Sequence, residues 1–305
     1  MKQICLIIGL LIGIHAQAQY SSEWDINMGG GISTLNYQAS TGSASSGAGG
    51  SFGVGYTAFF SYQWGVTTGL AMGFYNTSYT LENIRLEYPA AVPAGLQGNF
   101  YLHANYEAYE EKQQTLLFQF PVMLQYQAPL GSSFFYLGAG IKIGVPVSAT
   151  YNQSVKSITT SGYSDYTAQE YENMPNHGFD TYGNVKSSDI LALNISGLLA
   201  LESGIKWKIS RKNALYTGIY LDYGLNNVQK ESLRDFLEYK PTNSSDYQYN
   251  SMLQSQMDGN AFTNKVIPFA LGIKIKLAFG SGGKKQRHPD IQGAKPEPLL
   301  GYMEW

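Results

Sequence analysis

The sequence predicts an all-β fold: an eight-stranded antiparallel transmembrane β-barrel with short periplasmic turns and four long extracellular loops. Three observations carry that expectation. Eight segments alternate with period two. In each, one face holds large apolar residues and the other holds small, polar or charged ones. The connections between them alternate between short and long, as in barrels that cross an outer membrane. Composition agrees. Only 14% of the 305 residues are charged, against roughly 25% in ordinary soluble chains, while there are 24 Tyr and 34 Gly. The formal net charge of −2 offers no general electrostatic reason to bind nucleic acid.

Taken in order, residues 1–18 read as a secretory signal peptide. Lys2 supplies the basic start, Ile4 to Ile14 the apolar run, and Ala16-Gln17-Ala18 the small-x-small cleavage site. The only cysteine, Cys5, falls inside this segment, so residues 19–305 hold no thiol. The barrel is expected over 19–280, and its first strand over 23–36, with Trp24, Ile26, Met28 and Ile32 on the apolar face. In 51–63 that face is Phe52, Val54, Tyr56, Phe60 and Tyr62; in 65–78 it is Val66, Leu70, Met72 and Phe74. In 115–127, Leu116, Phe118, Phe120, Val122, Leu124 and Tyr126 stand opposite Thr115, Gln119, Gln125 and Gln127. In 134–147, Phe135, Leu137, Ile141, Ile143 and Val145 stand opposite Tyr136, Gly138, Gly140 and Lys142.

In 190–207, Leu191, Leu193, Ile195, Leu199, Leu201, Ile205 and Trp207 oppose Asn194, Ser196, Glu202 and Lys206. In 214–226, Leu215, Ile219, Leu221, Tyr223 and Leu225 oppose Tyr216, Gly218, Tyr220 and Asp222. The clearest alternation is 265–279. Ile267, Phe269, Leu271, Ile273, Ile275, Leu277 and Phe279 face one way; Lys274, Lys276 and small residues face the other. A soluble sandwich or lipocalin-like barrel would show water a polar exterior, which this strand lacks. Each segment exceeds the roughly 9–11 residues a tilted strand needs to cross a bilayer. Closure pairs every backbone group within the barrel, as lipid demands. Short turns are expected near 63–65, 128–132 and 210–213, and long loops over 37–50, 79–113, 148–188 and 227–263. Trp24, Tyr62, Trp64, Tyr126, Trp207 and Tyr223 suit interfacial girdles.

The stretch "QFPVMLQYQAPLGSSFFYLGAGIKIGVPVSATY" (119–151) resembles the outer-membrane β-barrel proteins of Bacteroidetes, the OmpA-like N-terminal barrels. The likeness extends from about Tyr20 to Phe279. It implies residence in the outer membrane and insertion by the barrel assembly machinery. "GIKIKLAF" resembles the assembly signal of a final strand, through Gly272, Ile275, Leu277 and Phe279. Many such relatives carry a peptidoglycan-binding domain after the barrel. Here about 26 residues follow, so that function is not carried over.

The predicted lumen gathers Asp25, Glu202 and Asp222 with Lys142, Lys206, Lys274 and Lys276. Unpaired charges are costly in a narrow low-dielectric space, so mutual pairing is expected. A narrow ion-selective pore is the alternative reading. Eight strands leave room only for side chains, which argues against a wide channel. No His spacing marks a metal site, no cofactor is expected, and the chain is not expected to be an enzyme. A lipid A-modifying hydrolase is the competing possibility; it would need His103 or His177 to meet a loop Ser and an acid. The glycine run 46–55 has G-x-G spacing but neither follows a strand nor opens a helix, so it does not read as a nucleotide loop.

The loops are rich in Tyr, which suits either binding or packing of a cap. "KESLRDFLEY" (230–239) suggests a short amphipathic helix with Leu233, Phe236 and Leu237 on one side. Residues 281–305 read as a periplasmic tail. Its Leu299, Leu300, Tyr302, Met303 and Trp305 are candidates for docking into a partner's groove. The chain is thus expected to be non-catalytic: a structural barrel, or an interaction subunit docking a protein through loops or tail.

Overall fold

The computed structural model describes residues 21–90, 97–230, 234–239, 247–257 and 260–281. The signal segment 1–18 and the tail residues Leu299, Leu300, Tyr302, Met303 and Trp305 lie outside them. Eight strands close a ring: β1 (Ser21–Asn36), β2 (Ala48–Phe59), β3 (Trp64–Ala90), β4 (Phe100–Leu130), β5 (Ser133–Ser164), β6 (Ser196–Lys208), β7 (Asn213–Gly224) and β8 (Ile267–Ser281). All neighbours pair antiparallel, and β8 returns to β1 from Ser22↔Ser281 to Asn36↔Ile267. The turns after β2, β4 and β6 are tight. Phe60 N donates to Trp64 O, Gly131 takes φ 59°, and Ile209 N donates to Asn213 O.

The apolar faces point outward. Trp24 is 63% and Ile273 66% exposed, with Met28, Phe52, Leu70, Phe74, Ile141 and Ile275 beside them in a continuous band. The band on β3 runs from Trp64 to Phe74, about 25 Å tall at barrel tilt. Trp24 packs on Tyr56 at 4.7 Å and Trp64 on Tyr126 at 4.9 Å between ring centroids. These, with Tyr62 and Trp207, ring the end that carries the short turns.

Several expectations are corrected. The regions 79–113 and 148–188 are not mainly loop. β3, β4 and β5 are 27, 31 and 32 residues long and continue far beyond the apolar band. A further strand, Thr181–Ile190, pairs with β5. Past Phe74 the odd-numbered residues keep facing inward but become large, with Tyr75, Thr77, Tyr79 and Leu81 buried, while the outward face turns polar at Thr80. Of the helix expected over 230–239, Leu233 lies outside the described residues, and 234–239 forms two extended pieces, Arg234–Asp235 and Leu237–Tyr239, rather than a helix. β6 begins at Ser196 rather than 190, and Leu191 is buried instead of lipid-facing.

Two irregularities shape the extension. Leu116 pairs Ser148 and Leu117 pairs Pro146, so Val147 is an extra residue, a β-bulge. It changes which β5 residues face inward, from Tyr136 and Lys142 below to Ala149, Tyr151 and Gln153 above. Farther up, pairing skips Glu82, Ala108, Lys156 and Asn184 in adjacent strands at one height. Ala108 and Asn184 take φ 51° and 52°, a left-handed conformation rare outside glycine. This line of kinks turns the outer sheet, so Leu86, Tyr88, Leu102, Tyr106 and Ile158 pack inward above it.

Candidate functional site: a charged plug beneath an aromatic cap

The barrel interior is filled by a ladder of ion pairs. At the turn end, Lys206 Nζ lies 2.5 Å from Glu23 Oε1 and 3.2 Å from Gln127 Oε1. The Tyr216 hydroxyl donates to Glu23 Oε2 at 2.5 Å, and the ammonium sits 5.0 Å from the centroid of the Phe59 ring. One layer up, Asn27 donates to Asp25 at 2.7 Å. Lys274 and Lys276 each contact one oxygen of Glu202, which is 2% exposed. Above them Lys142 Nζ is 2.8 Å from Asp222 Oδ2.

All seven lumen residues named from the sequence point inward and are buried. Six of them join these ion pairs; Asp25 is bound by Asn27. Sequence reasoning missed Glu23. It stands at the strand entry, before the alternation is established, yet its position one step from Trp24 puts it on the inner face. With Glu23, three acids pair with the four lysines and Asp25 stands beside them on Asn27, so the formal charges of these eight side chains balance. The space left beside Asp25, Glu202, Lys274 and Lys276 is a cavity of about 30 Å³, room for a few waters at most.

Gly272, Ile275, Leu277 and Phe279 lie on β8. The three apolar side chains face outward. Gly272 pairs with Gly31, and a Cβ there would lie 2.1 Å from the Gly30 carbonyl oxygen, so close strand approach alone requires glycine.

The extracellular end is closed by a second core. The described residues 234–239, 247–257 and 260–266 lie at the mouth and insert Phe236, Leu237, Met252, Leu253, Phe262 and Val266 among the inward residues of the extended strands. Phe236 lies 5.2 Å from Tyr106, 5.1 Å from Tyr109 and 5.3 Å from Phe262. Many loop tyrosines therefore pack rather than wait for a ligand: Tyr79, Tyr88, Tyr106, Tyr109 and Tyr151 are all buried. Burial pushes the Tyr109 phenol well above its usual range, and the Glu111 charge adds to it.

Glu111 fastens this cap. It is fully buried and accepts from the Tyr109 hydroxyl (2.5 Å), Gln113 (2.8 Å), Gln153 (3.3 Å), the Ser251 hydroxyl (2.6 Å) and Met252 N (3.0 Å). The last two belong to the segment at the mouth, so one carboxylate ties strap to wall.

His103 is buried on the outer face of the extension, where it pairs in register with Glu87 and Ser161. Its Nε2 lies 3.0 Å from Glu87 and its Nδ1 2.7 Å from Glu170. Burial raises the Glu170 carboxyl, but bonds from Ser161 and His103 and the charges of His103 and Arg85 outweigh it, leaving it below the usual carboxylate range. Ser161 donates to Glu170, not to the imidazole. Both ring nitrogens already face carboxylates, so the ring is not placed to take a proton from that serine, as a Ser–His relay requires. His177 lies in a one-turn 3-10 helix, Pro175–His177, and is exposed. Among the described residues no cluster of His, Cys, Asp and Glu is arranged to hold a metal ion.

A closed ring of strands with an apolar belt, an aromatic girdle and a charged, filled interior defines a class: the outer-membrane β-barrel. No family model matches the chain, and no curated protein matches it either. Among solved structures, the outer membrane protein OprG from Pseudomonas aeruginosa is 16% identical, with 86% of this chain and 98% of that one covered and a TM-score of 0.34. Ail, the attachment invasion locus protein of Yersinia pestis, is 10% identical, with coverages of 86% and 99% and a TM-score of 0.28. Neisserial surface protein A is 11% identical, with coverages of 84% and 94% and a TM-score of 0.28.

Proposed function

We propose that this chain is a sealed, non-catalytic outer-membrane barrel whose work is done by the surfaces it holds outside the bilayer. It serves as a structural protein or as an interaction subunit. The observation that carries this reading is the double closure: a neutral ladder of four acids and four lysines in the lumen, and an aromatic cap over the mouth. A filled lumen argues against the small-solute pore. The occupied ring nitrogens of His103 argue against the lipid A hydrolase. Kinship with the OmpA-like barrels of Bacteroidetes rests on the sequence resemblance, and with it the role of Gly272, Ile275, Leu277 and Phe279 as an assembly signal.

Conductance of the purified protein in planar bilayers tests the sealed lumen. The expected result is silence, and steady single-channel steps would overturn it. The tail with Leu299, Leu300, Tyr302, Met303 and Trp305 is the proposed attachment point for a protein partner. Deleting 281–305 should leave the barrel in the membrane but lose co-purifying protein after gentle extraction. A complex that survives the deletion sinks the docking role.

A further inference from the structure

Above the kink line, the extension is a sheet with two different faces. The inner face packs on the cap. The outer face carries Arg85, Asn105, Thr159 and Thr181 in one register row, and Asn83, Glu107, Ser157 and Gly183 in the next. Here the bend opens a depression of about 430 Å³ lined by Asn83, Arg85, Asn105, Glu107, Ser157 and Thr159, within the range of small-ligand sites. We propose that this groove binds the oligosaccharide of the membrane's own outer-leaflet glycolipid.

The chemistry points to a neutral, hydroxyl-rich ligand. Glu107 is engaged by Lys156, and the Arg85 charge is opposed by that of Glu170, the carboxylate on the far side of His103. The groove's charges are thus already occupied, which disfavours a phosphate or a polyanion. Asn83, Asn105 and Ser157 have no side-chain hydrogen bond among the described residues. A carboxamide offers donors and an acceptor side by side, which matches two neighbouring sugar hydroxyls. Beyond them on the same face, Pro89, Tyr101 and Tyr163 form another register row, and half-buried tyrosines present apolar surface with a wet edge for a sugar ring.

Position selects the source. Asn83 is nine residues above Phe74, the top of the apolar belt on β3. At strand rise and barrel tilt that is about 20 Å above the hydrocarbon. The face turns away from the cap, towards neighbouring lipids, so the sugars of adjacent glycolipids are its nearest hydroxyl-rich neighbours. This inference rests on the proposed reading only for the orientation of the cap outside the cell.

The test uses the full chain refolded in detergent. The probe is the oligosaccharide released by mild acid from the glycolipid of the same cells, followed by saturation-transfer NMR and calorimetry. Saturable binding is expected, weakened about tenfold by Asn83→Ala or Asn105→Ala, the loss of roughly one good hydrogen-bonded group. Ser154→Ala, exposed on β5 outside the groove, should bind like the parent. Absence of saturable binding, or equal affinity in Asn105→Ala, overturns the proposal. So does preference for an unrelated soluble glucan. Each variant is checked for the heat-dependent gel shift of a folded barrel. Conductance of the same preparation reports separately on the sealed lumen, so either idea can fail alone.

Discussion

At the residue scale, Glu202 is the keystone of the lumen, since one carboxylate holds both Lys274 and Lys276. Glu202→Ala would leave two buried ammonium groups without that partner, in a space with room for only a few waters. Removing one partner of a buried pair typically costs about 3–5 kcal/mol. The denaturant midpoint of the detergent-folded barrel should fall accordingly. Glu202→Gln, which keeps volume and hydrogen-bond acceptance, should fall less. Equal midpoints for Glu202→Ala and the parent would show that the lysines find other partners. The inward direction of these residues was legible from alternation alone, because Lys274 and Lys276 are spaced two apart opposite an apolar face. Which acid meets which lysine was not. Glu202 and Lys274 are 72 positions apart, and it is the pairing of both β6 and β8 with β7 that brings them together.

At the scale of elements, the legibility of a strand depended on what surrounds it. Where lipid is outside, large apolar residues mark one face, and all eight crossings stood out. Beyond Phe74 water is outside and the cap inside, so the same strands carry their large apolar residues on the inner face and lose the pattern that marks a crossing. The segment at the mouth was misread for a related reason. Leu233, Phe236 and Leu237 have helical spacing, but Phe236 and Leu237 are drawn in extended form into the cap, and tertiary packing overrides local preference. This cap has a pH signature. Burial raises the phenols of Tyr106 and Tyr109, with the charge of Glu111 as the second cause at Tyr109. A phenol whose folded pKa lies above its unfolded value of about 10 contributes stability fully below pH 10. That stability is lost as pH rises beyond it. The hydrogen-exchange protection factors of residues 234–239 and 247–257, corrected for intrinsic base catalysis, should therefore fall above pH 10 while those of the β1–β8 seam hold. Simultaneous loosening of both would place the alkaline weakness in the barrel instead.

At the scale of the whole molecule, the two closures stand in series. The ladder fills the lumen, and the Glu111-fastened strap covers the mouth. A path across the membrane requires both to open. Bilayer recordings should accordingly stay silent for Glu111→Ala, and also when Lys142 and Asp222 are both alanine, since the Glu202 and Glu23 layers still fill the lumen. Conductance in Glu111→Ala alone would mean that the ladder does not block ions. The same arrangement leaves the outer face of the extension as the broad polar surface raised above the lipid, where the saccharide groove lies.

By itself the sequence determined the lipid-facing half of this protein: eight crossings, their direction, the short-turn end and the inward lysines. Each follows from a local rule, since a residue two positions along a strand meets the same surroundings. Only the tertiary structure decided the rest. It brought Glu23 to Lys206 and made the interior neutral. It aligned the kinks at Ala108 and Asn184 into one bend, and it turned tyrosine-rich connections into a packed cap. Those outcomes depend on ring closure and on contacts between residues far apart in the chain, which no period along it encodes.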